Sequence, residues 1–303
     1  MLDNIPKISV IIISYKQENL IKRALDSLIV QKDYLYEICV SDDCSPDRTW
    51  DVLLDYQRRY PTLFKLHRNE PNVGIFENIE QCWTMPTGDI IYMMAGDDEA
   101  GEGYFKAVVD FVIQNRVDWR NELFTIYGDY KEIEPNGLSV VYNNKMAPYH
   151  NAQKLQIRRL ICNRSACYSK KILDKFVKVS EGRSYNAESS QDIQVALFSE
   201  RQYYIPKIGN IYYAGIGVST RMSKDDRRQH LHEGFKKVTE FVASQGHPFD
   251  KKDLAYIEYF KAYRQGNIKK ALFYYFKSID LSLGVKGLQL DRIFYVVNKK
   301  IRH

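Results

Sequence analysis

The sequence has no apolar run approaching the roughly 18 uninterrupted residues of a membrane span, which excludes a helical integral membrane protein from the expectations. Its first residues pass directly into Ile5-Pro6-Lys7-Ile8 without the basic and apolar segments of an export signal. That predicts a cytoplasmic chain. The five cysteines, Cys39, Cys44, Cys82, Cys162 and Cys167, are odd in number and form no Cys-x-x-Cys pair, so they suit a reducing compartment better than a disulfide framework. Also missing are the glycine-rich nucleotide loops: no Gly-x-Gly-x-x-Gly follows the first strand, and no Gly-x-x-x-x-Gly-Lys-Ser/Thr occurs. A nucleotide held here needs another device than a helix N-terminal cradle.

What is present is an ordinary globular composition, 45% hydrophobic and 27% charged over 303 residues, with a net charge of +6 that is unevenly placed. From Lys224 onward there are 17 Lys and Arg against 9 Asp and Glu, whereas the rest has 27 against 29. A basic tail of this kind meets an anionic partner or presents a solvated helix face. No nucleic-acid-binding module accompanies it, so nucleic acid is not the expected partner.

Strand and helix patterns alternate through the first third. Lys7 to Tyr15 is a β-branched run ending in polar residues, as in a central parallel strand, and Glu18 to Gln31 carries apolar residues at helical spacing. Tyr36 to Val40 reads as a strand with the polar turn Ser41-Asp42-Asp43-Cys44-Ser45 after it. Thr49 to Tyr60 reads as a helix, Phe64 to His67 as a strand, and Ile75 to Trp83 as a helix entered through Asn72-Val73-Gly74. The order predicts a parallel sheet with right-handed crossovers.

The chain is organised around Gly88 to Ala100. Ile90 to Ala95 is a fully apolar strand, and Gly96-Asp97-Asp98-Glu99 follows at its C-terminal end, where an open parallel sheet forms its ligand crevice. Adjacent carboxylates repel unless a cation or partner holds them, and one or two carboxylates plus substrate phosphates is how magnesium or manganese is commonly bound. A polar turn that merely ends the strand is the alternative. The sheet order places Asp42-Asp43 on the same edge; Asp42 itself reads as a cap of its local turn.

Together, Val10-Ile11-Ile12-Ile13-Ser14-Tyr15, Val40-Ser41-Asp42-Asp43-Cys44-Ser45, Asn72-Val73-Gly74 with Asn78, and Gly88-Asp89 leading to Gly96-Asp97-Asp98 resemble a family 2 glycosyltransferase of the GT-A fold. The resemblance implies an α/β fold with a mainly parallel central sheet flanked by helices and a C-terminal helical extension. It implies a catalytic domain over residues 1–223, with a nucleotide-binding half over about 1–100 and an acceptor half over about 101–223, followed by a basic, aromatic-rich helical region over 224–303.

By the same resemblance, Tyr15 stacks on the nucleotide base and Asp43 bonds its edge, with Ser14, Glu18 and Asn78 completing the nucleotide-sugar site. Asp98, with Asp97 beside it, holds manganese or magnesium on the diphosphate. Family members often carry Asp-x-Asp-Asp here, and Ala95 stands in the first acidic place, which leaves the number of direct metal ligands open. Downstream, Ser189 or Ser190 is expected to cap a helix with Asp192 in its first turn. An acid there is favoured by the helix dipole alone, but the family's usual general base lies at this place, so the resemblance assigns it to Asp192, with Glu188 as the second choice. Arg221, in the loop Gly215 to Arg221, is read as reaching the diphosphate or as a simple surface residue.

The middle segment reads as a helix over Ala107 to Asn115, a strand over Leu123 to Gly128, a hairpin around Pro135-Asn136-Gly137, a strand over Ile161 to Tyr168 and a strand pair between Tyr203 and Tyr213. His230 and His232 fall on different helix faces and are not read as ligands. The tail reads as helices carrying aromatics and lysines, packed on the domain or on a second copy in a homodimer, or with the last part resting on a membrane surface. The expected function is therefore an inverting, metal-dependent glycosyltransferase. Its donor would be a nucleotide-diphosphate sugar, UDP-sugar favoured, and its acceptor a hydroxyl of a glycan or lipid-linked glycan in surface polysaccharide biosynthesis. It would work in the cytoplasm, free or peripheral at the inner face of the membrane. A nucleotidyltransferase or a non-catalytic sugar-nucleotide or glycan-binding module is the alternative.

Overall fold

The computed structural model describes residues 5–142, 163–176, 187–216, 251–264, 267–279 and 281. The chain divides into two compact units, one formed by Met1–Met146 with Cys162–Met222 and the other by Ala147–Ile161 with Ser223–His303.

In the first unit, β1 (Ile8–Ser14), α1 (Ile21–Ile29), β2 (Glu37–Asp42), α2 (Thr49–Arg59), β3 (Phe64–Arg68), α3 (Ile75–Trp83) and β4 (Ile90–Ala95) follow the alternation read from the sequence. The two-residue strand β5 (Glu99–Ala100) and α4 (Tyr104–Gln114) come next. They are followed by β6 (Phe124–Ile133), β7 (Ser139–Tyr142), β8 (Ala166–Ser169), α5 (Lys170–Leu173), α6 (Ala187–Phe198) and β9 (Arg201–Tyr213). The sheet runs β3-β2-β1-β4-β8-β6-β9-β5, with β7 paired to β6. Its β3-β2-β1-β4 half is parallel, and β8 then pairs antiparallel with both β4 and β6.

Side chains alternate between two covered faces. Ile8, Val10 and Ile12 of β1 join Leu25 and Leu28 of α1, Leu53 of α2 and Phe105 of α4 in one cluster. Ile11 of β1, Cys39 and Ile91 join Cys82 of α3, Ile172 and Leu173 of α5 and Val195 of α6 in another. Because both faces are covered, β1, β2 and β4 are buried along almost their whole length, and their central residues are apolar on both faces rather than alternating. Each fully buried isoleucine contributes about 1.5–3 kcal/mol relative to exposure.

Three sequence expectations change. Ser189 and Ser190 do not cap α6, since the helix is already formed at Ala187; Ala and Glu are strong helix formers and carry it N-terminal of the serines. The expected strand pair between Tyr203 and Tyr213 is one strand, β9. Its register against β6 shifts around Asp129, a bulge that accommodates Pro206, which has no N–H for the ladder. The strand expected over Ile161 to Tyr168 is confined to Ala166–Ser169 and preceded by a single 3-10 turn, Asn163–Ser165; residues 161–162 lie outside the described residues. Among the described residues no helix is long and apolar enough to cross a membrane.

The second unit contains α7 (Lys251–Arg264) and α8 (Ile268–Ser278), which pack through Tyr256, Tyr259, Ala262, Ala271 and Tyr275. The Asn267 side chain caps α8 by accepting from the Lys270 N–H at 3.1 Å.

Candidate active site

The parallel register sets the C-terminal ends of three strands side by side: Ser14 pairs with Asp42 and Ile13 with Ala95. The turns after β1, β2 and β4 therefore share one edge, as the placement of the acidic clusters in the sequence requires. The first two turns are stitched together by the Lys16 N–H donating to Ser45 Oγ (3.0 Å) and the Gln17 N–H to Thr49 Oγ1 (2.8 Å). Lys16 and Cys44 both adopt φ of 55°, the left-handed region that non-glycine residues seldom enter, so backbone strain concentrates at this edge.

Asp42 is fully buried and accepts from Ser14 Oγ, Ser45 Oγ and the Ser45 N–H, the last at 2.9 Å. It closes its own turn, and Ser14 is engaged in holding it. Asp43 is 2% exposed, and its two oxygens accept from Asn69 Nδ2 (3.0 Å), Asn72 Nδ2 (2.8 Å), the Val73 N–H (2.8 Å) and the Gly74 N–H (2.8 Å). That set fills the acceptor capacity of a carboxylate. Asn69 Nδ2 also donates to Asn78 Oδ1 at 2.9 Å, and Asn78 in turn bonds both the hydroxyl and the carbonyl of Ser41. Asp43 and Asn78 thus pin the 69–74 segment and the start of α3 against the end of β2. Gly74, at φ 96°, makes the turn into α3.

Tyr15 is half-buried, with Lys16 Nζ 5.0 Å from its ring centroid. Glu18 accepts from the Arg48 N–H at 2.9 Å and lines a cavity of about 560 Å³ together with Lys16, Pro46, Asp47 and Ile216. That cavity adjoins the first two turns and is not lined by Asp43, Asp97 or Asp98.

The acidic turn after β4 is braced by a side chain that the sequence pattern did not single out. Arg23 of α1 donates to the Asp97 carbonyl at 2.6 Å, pairs with Glu99 at 3.2 Å and lies 3.6 Å from the ring centroid of Tyr213, whose hydroxyl also donates to Glu99. Asp98 is 3% exposed; Arg164 Nη1 lies 3.5 Å from its Oδ2, and Asn210 Nδ2 donates to the same oxygen at 3.4 Å. Arg164 lies 3.9 Å from the Tyr212 ring centroid, so a cation stacked on an aromatic face is aimed at the buried carboxylate. Its only sequence signal was its place in the segment before β8. Behind this group Tyr92 donates to the Gly209 carbonyl at 2.8 Å, and burial holds the Tyr92 phenol well above the usual tyrosine range.

Among the described residues no group of three or more His, Cys, Asp or Glu is arranged to hold a metal ion. The donors at Asp98 nevertheless fit a hard divalent cation that takes the rest of its shell from substrate. Asp97 and Asp98 would supply the carboxylates, and the Oδ1 of Asn210, the residue that bonds Asp98, is buried and receives no hydrogen bond.

Asp192 sits beyond the first turn of α6 and is half-buried. The dipole effect fades within the first turn, so the dipole alone does not explain an acid at this position. Gln191 beside it accepts from Trp83 Nε1 at 3.2 Å, tying α6 to α3. Burial first, and then the Asp192 charge, raise the phenol of Tyr168 on β8, the strand that follows Arg164. Glu188 lies on α6, while Arg221, His230 and His232 lie outside the described residues.

A family model described as "Glycosyl transferase family 2" matches residues 9–177. The poly(ribitol-phosphate) beta-glucosyltransferase of Bacillus spizizenii is 30% identical over 116 residues, 37% of this chain and 18% of that protein. The match covers less than half the length of such curated relatives: an uncharacterized protein of Mycobacterium tuberculosis is 33% identical over 91 residues, 30% of this chain and 26% of that protein. Among solved structures, S. aureus TarS in complex with UDP-GlcNAc aligns with a TM-score of 0.55 at 17% identity, covering 90% of this chain and 81% of that one. A mannosyltransferase from Pyrobaculum calidifontis, in complex with GDP-Man and Mn2+, aligns with a TM-score of 0.56 at 13% identity, covering 96% and 80%. These likenesses show the GT-A fold.

Proposed function

The chain belongs to glycosyl transferase family 2, and from that premise we propose that it transfers a sugar from a UDP-sugar to a hydroxyl of a surface glycan or lipid-linked glycan, with inversion at the anomeric carbon. The observation that supports this reading most directly is Asp98, a buried carboxylate at the C-terminal end of β4, held beside Asp97 with the Arg164 cation turned toward it. A buried carboxylate next to a cation on a crevice edge suits a site that receives a charged diphosphate.

In this reading Tyr15 offers its ring to the base, and Asp43 with Asn78 fixes the 69–74 segment that walls the base pocket. Asp97 and Asp98 hold manganese or magnesium, which when bound supplies positive charge to the departing diphosphate. Arg164 supplies charge from the protein on the same side. Asp192 takes the proton of the acceptor hydroxyl as its oxygen bonds to the anomeric carbon and the bond from that carbon to the diphosphate oxygen breaks. UDP is favoured because TarS was solved with UDP-GlcNAc, and a surface-polymer acceptor because a relative is named for poly(ribitol-phosphate). The cytoplasm is the proposed place of action.

The test is a thermal-shift panel of UDP, GDP and their sugars with manganese, magnesium or chelator, followed by transfer assays with the stabilising donor. A ligand that binds only the folded chain raises its melting temperature. A metal-dependent shift with uridine nucleotides and release of UDP on adding acceptor is expected; no shift with any nucleotide overturns the reading.

A further inference from the structure

Helix α8 is amphipathic in an inverted sense. Ala271, Tyr275 and Ser278 lie on the buried face, against Tyr256, Tyr259 and Ala262 of α7. On the opposite face, at helical spacing, stand Phe273 and Phe276, which are 54% and 62% exposed. Lys269, Lys270 and Lys277 share that outward face, and no acidic residue occurs within α8. Lys277 Nζ lies 4.2 Å from the Phe273 ring centroid, so ammonium and ring form one surface. Lys251, Lys252 and Leu254 of α7 and Leu281 beyond α8 are exposed as well.

An ordinary solvated helix face has no use for two phenylalanines turned outward. A protein partner accounts for the rings but not for the lysines, since lysine is depleted from protein interfaces. A bilayer with anionic headgroups accounts for both, because rings enter the headgroup and acyl boundary while lysines keep their ammonium groups on the phosphates. The region from Lys224 onward, with 17 basic against 9 acidic residues, complements such a surface.

We propose that the outward face of α8 docks on an anionic lipid bilayer, with Phe273 and Phe276 inserted and Lys269, Lys270 and Lys277 paired with lipid phosphates. The surface belongs to the second unit, and its test is independent of glycosyl transfer. Membrane docking of this face would hold the second unit at the bilayer without a spanning helix.

The test is co-sedimentation of the full chain with vesicles of phosphatidylcholine alone or mixed with phosphatidylglycerol, at low and high salt, with light scattering in parallel. Binding to the phosphatidylglycerol vesicles that weakens with salt is expected, together with at least a tenfold loss (~1.4 kcal/mol) in the Phe273→Ser/Phe276→Ser variant. The Lys269→Glu/Lys277→Glu variant keeps the rings and should also lose binding, which serves if the first variant fails to fold. Equal binding to neutral vesicles, wild-type binding by a folded variant, or a wild-type dimer that ignores vesicles and dissociates on these substitutions would each overturn the proposal.

Discussion

Arg164 Nη1 lies 3.5 Å from Asp98 Oδ2, joining the turn before β8 to the acidic turn after β4. Asp98 is 3% exposed, and burying a carboxylate without a cation is costly. The Arg164 guanidinium offsets part of that cost.

Arg164→Ala is expected to lower kcat/KM by at least tenfold, about 1.4 kcal/mol of transition-state stabilisation. Arg164→Lys retains the charge without the stacking plane on Tyr212 and should recover part of the loss. Steady-state kinetics with the donor identified by thermal shift makes the comparison. Unchanged kinetics in the alanine variant would confine Arg164 to a structural role.

Asp192→Asn should reduce kcat by about a hundredfold or more while leaving the donor-induced thermal shift in place. The variant keeps the shape of the half-buried carboxylate but cannot accept the acceptor's proton. A fully active Asn variant would remove Asp192 from the role and direct attention to Glu188.

Asp43→Ala leaves the Asn69, Asn72, Val73 and Gly74 donors without their shared acceptor. Each of these bonds to a charged acceptor is worth about 1.5–3 kcal/mol where it is shielded from water and less where its donor is exposed, as at Asn72 and Val73, so the melting temperature should fall by several degrees even without nucleotide. Asp43→Asn should fall nearly as far, because its amide NH2 would face N–H donors. If Asp43 only touched the base, stability without nucleotide would be unaffected; calorimetry of the ligand-free variants distinguishes the two.

Glu37 gives the expected acid limit of the fold. Burial pushes its carboxyl up, but the Lys65 ammonium, the Thr87 N–H and the Ser9 hydroxyl together outweigh burial and hold it below the usual glutamate value. A carboxyl lowered in the folded state contributes fully above its unfolded pKa of about 4.3, and that contribution is lost as pH falls through the folded value. Melting temperature should therefore drop more steeply below about pH 4.3 in the wild type than in Glu37→Gln. The variant should be the less stable of the two at neutral pH. Parallel slopes would show that other carboxylates set the limit.

Gly209 lies next to Asn210, in a place where a Cβ would come within 2.7 Å of the buried Tyr104 ring and 2.8 Å of Ser165 Cβ. Gly209→Ala should cost about 1–3 kcal/mol through overpacking, read as a lower denaturant midpoint at unchanged slope. Unaltered stability would mean that Tyr104 has room to move.

The alternating first half was legible in the residues alone, since β1 and β4 are long apolar stretches and β2 has a short apolar centre, each followed by polar residues that meet at the crevice edge of a parallel sheet. Asp42-Asp43 and Asp97-Asp98 could be put on one edge for that reason. Local pattern also sufficed for α3, where Gly74 and the apolar spacing mark the start. It did not suffice for the N-terminus of α6, because the cap residues Ser189 and Ser190 compete with helix formers just before them, nor for β9, whose bulge depends on pairing with β6. Tertiary structure alone decided that Asp43 is saturated by a segment about thirty residues downstream and that Arg23, Arg164 and Asn210 converge on the Asp97-Asp98 turn. These partners lie far from that turn in sequence, and no periodicity encodes a contact that exists only once β8 and β9 have joined the sheet. The outward phenylalanines of α8 belong to the same class: their spacing is helical, and only the packing of Ala271 and Tyr275 onto α7 shows which face is left for a partner.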